Sequence, residues 1–196
     1  YAWLNGDRGY RTTLATANWP VAARIVDAIT ERNQYGEVDG IIYVDTVTLG
    51  ALLAVIGPVE IDGVEYRYDN VYEELLYRSY LRFQTLDDNP ERKALQSRIA
   101  QAIFDEIDQR EYSVLQLAGA LSKLARGRHL LAWSADPAEN ELWETFGADG
   151  ALRPDGIGVV SQELGASKLD YFVQQEVALS AEDEGDHRRL TMRVRL

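Results

Sequence analysis

Gly40-Ile41-Ile42-Tyr43-Val44-Asp45-Thr46-Val47-Thr48-Leu49-Gly50-Ala51-Leu52-Leu53-Ala54-Val55-Ile56-Gly57-Pro58 is the stretch that decides the fold class. Its opening is a short apolar run of the kind that forms a central strand buried on both faces. Thr46 is placed to cap the helix that follows. Gly57-Pro58 must stop that helix, because proline cannot continue the hydrogen-bond ladder. A strand running straight into a helix predicts an α/β protein with a central mixed sheet flanked by helices.

Working outward toward the N-terminus, Pro20 to Asn33 places Val21, Ala22, Ile25, Ala28 and Ile29 on one helical stripe, with Asn18 and Pro20 suited to its start. Toward the C-terminus, Val59-Glu60-Ile61 and Val64-Glu65-Tyr66 flank Asp62-Gly63, which suits the positive φ angles of a tight hairpin turn. Asp69-Asn70 opens a helix through Arg82. A second helix starts at Pro90, with Asn89 as its N-cap and Leu95, Ile99, Ile103 and Ile107 recurring every four residues. Ser113 to Arg126 reads as a helix, Leu130 to Trp133 as a strand, and Asp136-Pro137 as the start of a short helix ending at Phe146-Gly147.

From Gly156 the pattern changes to alternation, in three strand-like runs: Ile157 to Leu164, Leu169 to Leu179, and Arg188 to Leu196. In the last, Leu190, Met192, Val194 and Leu196 alternate with Arg189, Thr191, Arg193 and Arg195, as in a sheet with one solvated face. The expected organisation is an α/β domain over 1–155, itself the C-terminal part of a larger domain. Antiparallel β strands follow over 156–196, as an extension or the start of a second β-rich unit that continues past Leu196.

Composition narrows the chemistry. The chain has 196 residues, 46% of them hydrophobic, and no cysteine. That length buries roughly 70% of the unfolded chain's surface without a metal or disulfide. The lack of cysteine removes thiolate catalysis and Cys-zinc sites, and His129 and His187 cannot build a histidine-rich metal centre. The net charge of −12 disfavours nucleic acid as a partner.

The densest basic cluster before the tail is Arg78, Arg82, Arg92, Lys93 and Arg98, on two predicted helices joined by Asp87-Asp88. Arg78 and Arg82 share a helix face, and guanidinium forks suit bidentate contact with phosphate oxygens. Glu74, four residues before Arg78, offers the competing reading of an ordinary i,i+4 ion pair. Asp87 and Asp88 could hold Mg²⁺ between phosphates, or only cap the next helix. No other cofactor is evident. Asp39, Asp45 and Asp62 sit at strand ends and a turn, ordinary places for aspartate. Ser134 lacks the Gly-x-Ser-x-Gly elbow, neither histidine has a hydrolase context, and Gly156-Ile157-Gly158 is followed by no helix.

Asn18-Trp19-Pro20 with its helix, Val38 to Asp45, the leucine-rich helix and Ile56-Gly57-Pro58-Val59 together resemble a bacterial envelope family known as domain of unknown function four-zero-one-two. The likeness extends through Asp69-Asn70, Tyr80, Arg92-Lys93 and Lys168-Leu169-Asp170-Tyr171. It implies an actinobacterial protein held by an upstream membrane helix, with this region on the extracytoplasmic side and no activity attached.

More distantly, the order of strand, helix, Gly-Pro-Val, hairpin and Arg-bearing helix is similar to the LytR-CpsA-Psr proteins, which attach glycopolymers to the cell wall. That likeness implies that Arg78, Arg82 and Arg92 bind a polyprenyl pyrophosphate and that Asp88 holds Mg²⁺. The chain departs from the family in having Gly57-Pro58-Val59 for Gly-Gly-Val, and in the spacing of Asp88, Arg92 and Gln96.

Two functions follow as expectations. One is a non-catalytic binding or scaffold module of the cell envelope, whose edge strands could take a protein partner. The alternative is a phosphotransferase or hydrolase acting on polyprenyl-pyrophosphate-linked glycans.

Overall fold

A computed structural model describes residues 16–32, 36–84, 89–160 and 169–196. The elements in chain order are α1 (Trp19–Arg32), β1 (Gly40–Val44), α2 (Thr46–Ile56), β2 (Val59–Ile61) and β3 (Val64–Tyr66), then α3 (Val71–Glu73) and α4 (Ser79–Arg82). After these come α5 (Asn89–Gln109), α6 (Val114–Arg126), β4 (Leu130–Ser134), α7 (Pro137–Phe146), β5 (Glu176–Glu184) and β6 (His187–Arg195). The chain divides into two compact units, 1–161 and 162–196.

The α/β class holds, but not as one central mixed sheet. Among the described residues the strands form three separate two-stranded antiparallel sheets, β1 with β4, β2 with β3, and β5 with β6. The Gly40 run is therefore not a central strand. Ile41 and Tyr43 pack toward Trp19, Ala22, Ala23 and Leu131, whereas Ile42, on the opposite face, is 65% exposed. Alternation decides this: successive side chains leave opposite faces of a strand, and helix α1 covers only one of them.

The boundary residues act through identifiable bonds. Asp45, not Thr46, is the N-cap of α2, accepting from the Thr48 N–H at 3.0 Å. At the other end Gly57 takes φ 91° and its N–H returns to the Leu53 carbonyl. The Arg110 side chain donates to the Ile56 and Pro58 carbonyls, a cation where the helix leaves its last carbonyls unpaired. Asp62 (φ 54°) and Gly63 (φ 74°) close the β2–β3 hairpin as a turn with both central residues at positive φ. Ser113 caps α6, while Asp136 and left-handed Gly147 bracket α7.

In the first unit, the largest core joins α2, the β2–β3 hairpin, the helix through Val71 and Leu75, and the Leu95, Ile99 and Ile103 stripe of α5. The four-residue recurrence reads directly as this buried face. Between α3 and α4 the chain makes a π turn, Glu74–Arg78, so 71–82 is one helix with a widened turn inside it.

The tail differs from the alternating pattern. Residues 157–160 are not strand, and 161–164 lie outside the described residues. Leu169–Phe172 is a 3₁₀ turn, so β5 begins only at Glu176. The third run is β6, paired with β5 over nine residues around the turn Gly185-Asp186.

Candidate functional site

The arginines singled out by sequence are held by partners on the protein itself. Arg78 Nε lies 3.0 Å from Glu73 Oε1 and 3.5 Å from Glu74 Oε1, and Arg82 Nη2 lies 3.5 Å from Glu74 Oε2. The π turn explains the first contact, since it brings residues five apart onto one face. The Glu73 bond, then the charges of Glu73 and Glu74, push the Arg78 guanidinium further above its ordinary value. Glu74 is 10% exposed at its side chain and sits between the two cations.

Arg92 goes elsewhere. Its guanidinium is buried on α5 and stacks 4.0 Å over the Tyr80 ring, a cation–π contact between successive helices. Arg98 makes a bidentate pair with Asp62, at 3.0 and 2.6 Å, which ties the hairpin turn to α5 and holds the Asp62 carboxyl below its ordinary value. Lys93 is exposed. Asp87 and Asp88 lie outside the described residues, as does the side chain proposed as the Asn89 cap. Among the described residues no cluster of three or more metal-ligating side chains occurs. The structure thus brings Arg78 and Arg82 onto one carboxylate and sends Arg92 to an aromatic ring.

A groove of about 530 Å³ on the first unit lies between α2 and α6, lined by Val47, Ala51, Val55, Ala120, Lys123 and His129 among others, and by none of these arginines. At its His129 end is a pair that sequence reading left apart. Asp45 Oδ1 caps α2, and Asp45 Oδ2 lies 2.7 Å from His129 Nδ1. The buried Thr48 hydroxyl donates to the His129 carbonyl at 2.7 Å. On its other edge the ring packs so close to Gly127 that a Cβ there would meet His129 Cδ2 at 2.9 Å. Burial, then the Asp45 charge, raises the pKa of the neighbouring Tyr43 phenol.

A carboxylate-oriented imidazole supplies two of the three members of a nucleophilic triad. Among the described residues no hydroxyl hydrogen-bonds to His129 Nε2, and the Thr48 hydroxyl is committed to the His129 carbonyl. The pair works as a clasp between the start of α2 and the turn before β4. Ser134 is equally structural, its hydroxyl donating to the Asp39 carbonyl while Asn140 bonds its backbone on both sides. No local signal marked His129, because its partner is supplied by chain packing and not by a neighbouring residue.

Residues 1–80 match the family described as "Protein of unknown function (DUF4012)". This is the family of unknown function that the sequence resembles, and within the match the structure describes α1, β1, α2, the hairpin and the π turn. No curated protein and no solved structure matches the chain. The LytR-CpsA-Psr likeness thus has no support among these comparisons.

Proposed function

We propose that this chain, matched over residues 1–80 to a family of unknown activity, is a non-catalytic binding or scaffold module on the extracytoplasmic side of the bacterial cell envelope. The observation that carries the reading is Glu74, seated between Arg78 and Arg82. With Glu73 on Arg78 as well, two guanidiniums face two carboxylates, so the patch has no surplus positive charge to draw in a diphosphate. A net charge of −12 adds to that repulsion.

Envelope placement rests on the family resemblance, whose members are typically held by an N-terminal membrane helix. Among the described residues no helix is long and apolar enough to cross a membrane. The β5–β6 ladder supports a protein partner, since strands with a free edge recruit others through main-chain hydrogen bonds.

Calorimetric titration with farnesyl pyrophosphate, with and without Mg²⁺, tests the non-catalytic reading. The expected result is no saturable binding that depends on Arg78 and Arg82. Saturable binding abolished by Arg78→Ala plus Arg82→Ala would restore the transferase reading. For location, the cysteine-free chain accepts a reporter: Leu115→Cys, at a position 83% exposed, is expected to react with a membrane-impermeant maleimide on intact cells. Labelling only after lysis would place the domain inside.

A further inference from the structure

The β5–β6 hairpin stands in its unit with one apolar face open. Val177 opposes Val194, Leu179 opposes Met192, and Ala181 opposes Leu190, all on that face. Leu179, Leu190 and Met192 are each at least half exposed. The opposite face carries Glu176 with Arg195, Ala178 with Arg193, Ser180 with Thr191, and Glu182 with Arg189. A two-stranded hairpin of this kind is marginal in water by itself and gains stability from a further strand.

The charges say which strand. β5 holds Glu176, Glu182, Asp183 and Glu184 and no base; β6 holds Arg188, Arg189, Arg193 and Arg195 and no acid. Among the described residues neither outer edge of the hairpin is paired, and one edge is therefore acidic and the other basic. Arg188 pairs with Asp183, Arg189 with Glu184 and Arg195 with Glu176. Arg193 faces Ala178, and among the described residues no carboxylate pairs with it. Pairing β6 with β6, or β5 with β5, would set like charges side by side, which is destabilising in a sheet.

We propose that β6 accepts β5 of a second copy of this chain as its next antiparallel strand, with Arg193 opposite Glu176, Met192 opposite Val177 and Leu190 opposite Leu179 of that copy. Backbone geometry restricts the pairing to registers two residues apart, and this one sets Arg193 opposite a carboxylate, Glu176. In a hairpin closed by two residues, here Gly185 at φ 69° and Asp186, the pairs alternate between hydrogen-bonded and not. Counting from Glu184 and His187, Val177, Leu179, Leu190 and Met192 fall in the pairs whose N–H and C=O groups point away from their own partner. The new register differs from the internal one by two residues, so each side chain keeps its face.

Such a contact joins two different edges, so it propagates instead of closing at a dimer. One added strand also covers well under the roughly 800 Å² per partner of a standard interface. Association is therefore weak and grows with concentration. The inference rests on reading the domain as a binding module, and it specifies the partner.

The test is sedimentation velocity on the whole chain across a micromolar to millimolar series. The average mass is expected to rise with concentration, and to stay monomeric in Arg193→Glu and in Glu176→Arg. The triple variant Glu176→Arg, Arg193→Glu and Arg195→Glu keeps the internal 176–195 pair opposite in charge and restores complementarity between copies, and with it association; that recovery separates loss of the contact from loss of the hairpin. A monomer at every concentration overturns the proposal, as does association unchanged by both single reversals, which would point to stacking of the apolar faces. Neither outcome affects the farnesyl pyrophosphate titration, so this inference and the reading beneath it fail separately.

Discussion

Asp45 Oδ2 lies 2.7 Å from His129 Nδ1, although 84 positions separate the two residues. The same carboxylate caps α2 through its other oxygen. Replacing it removes two roles at once. Asp45→Ala is expected to destabilise the fold by about 1–2 kcal/mol, and Asp45→Asn by less, because asparagine still supplies a cap oxygen. Urea unfolding of the two variants gives the comparison; equal losses would mean that the cap contributes nothing.

Tyr43, beside Asp45, gives the alkaline limit of this region. Burial and the nearby carboxylate raise its phenol above the ordinary 10.0. A group whose pKa is raised in the folded state contributes stability in full below its unfolded pKa, and this contribution is lost as pH rises through the folded value. Relative to Tyr43→Phe, the natural chain is expected to lose stability above pH 10.0 and to match the variant's pH dependence below it. Denaturant midpoints on either side of that pH provide the check.

Glu74 holds two guanidiniums, so either one covers for the other. Arg78→Ala and Arg82→Ala singly are expected to lower the melting temperature slightly. Together they leave a nearly buried carboxylate without its cations, and the combined drop should exceed the sum of the singles. An additive result would mean that solvent reaches Glu74 freely.

Ile99 on α5 is fully buried between α2, the hairpin and the neighbouring helix. Ile99→Ala is expected to cost about 2–5 kcal/mol, the range for a deleted core side chain that leaves a cavity. Chemical denaturation measures it, and a loss under about 1 kcal/mol would show that the site collapses to fill the space.

Gly150 is tight for two reasons. It takes φ 54°, and a Cβ there would meet Trp19 Cβ at 2.7 Å and Leu131 Cδ2 at 2.8 Å. Its carbonyl also accepts from the Trp19 N–H at the start of α1. Gly150→Ala is expected to destabilise by about 1–3 kcal/mol from overpacking, in addition to the backbone strain. Gly63→Ala has the strain with open space around it, so thermal unfolding of the pair separates the two effects.

The sequence by itself determined the local elements, because their causes lie within a few residues of each other. Asp62-Gly63 adopts the positive φ angles of its turn wherever the hairpin sits, and Ser113, Asp136 and Gly147 act on the backbone beside them. The stripe of Leu95, Ile99 and Ile103 follows from helical periodicity alone. Tertiary structure decided what each element meets. Nothing near Gly40 says that β1 pairs antiparallel with β4, some ninety positions on, or that only one face of it is covered. Nothing near Arg78, Arg82 and Arg92 says that two of them share Glu74 while the third lies over Tyr80. Charge pairing and strand pairing join groups that are distant along the chain, and a Coulomb or hydrogen-bond partner is set by position in space. Periodicity, which is read along the chain, carries no information about it.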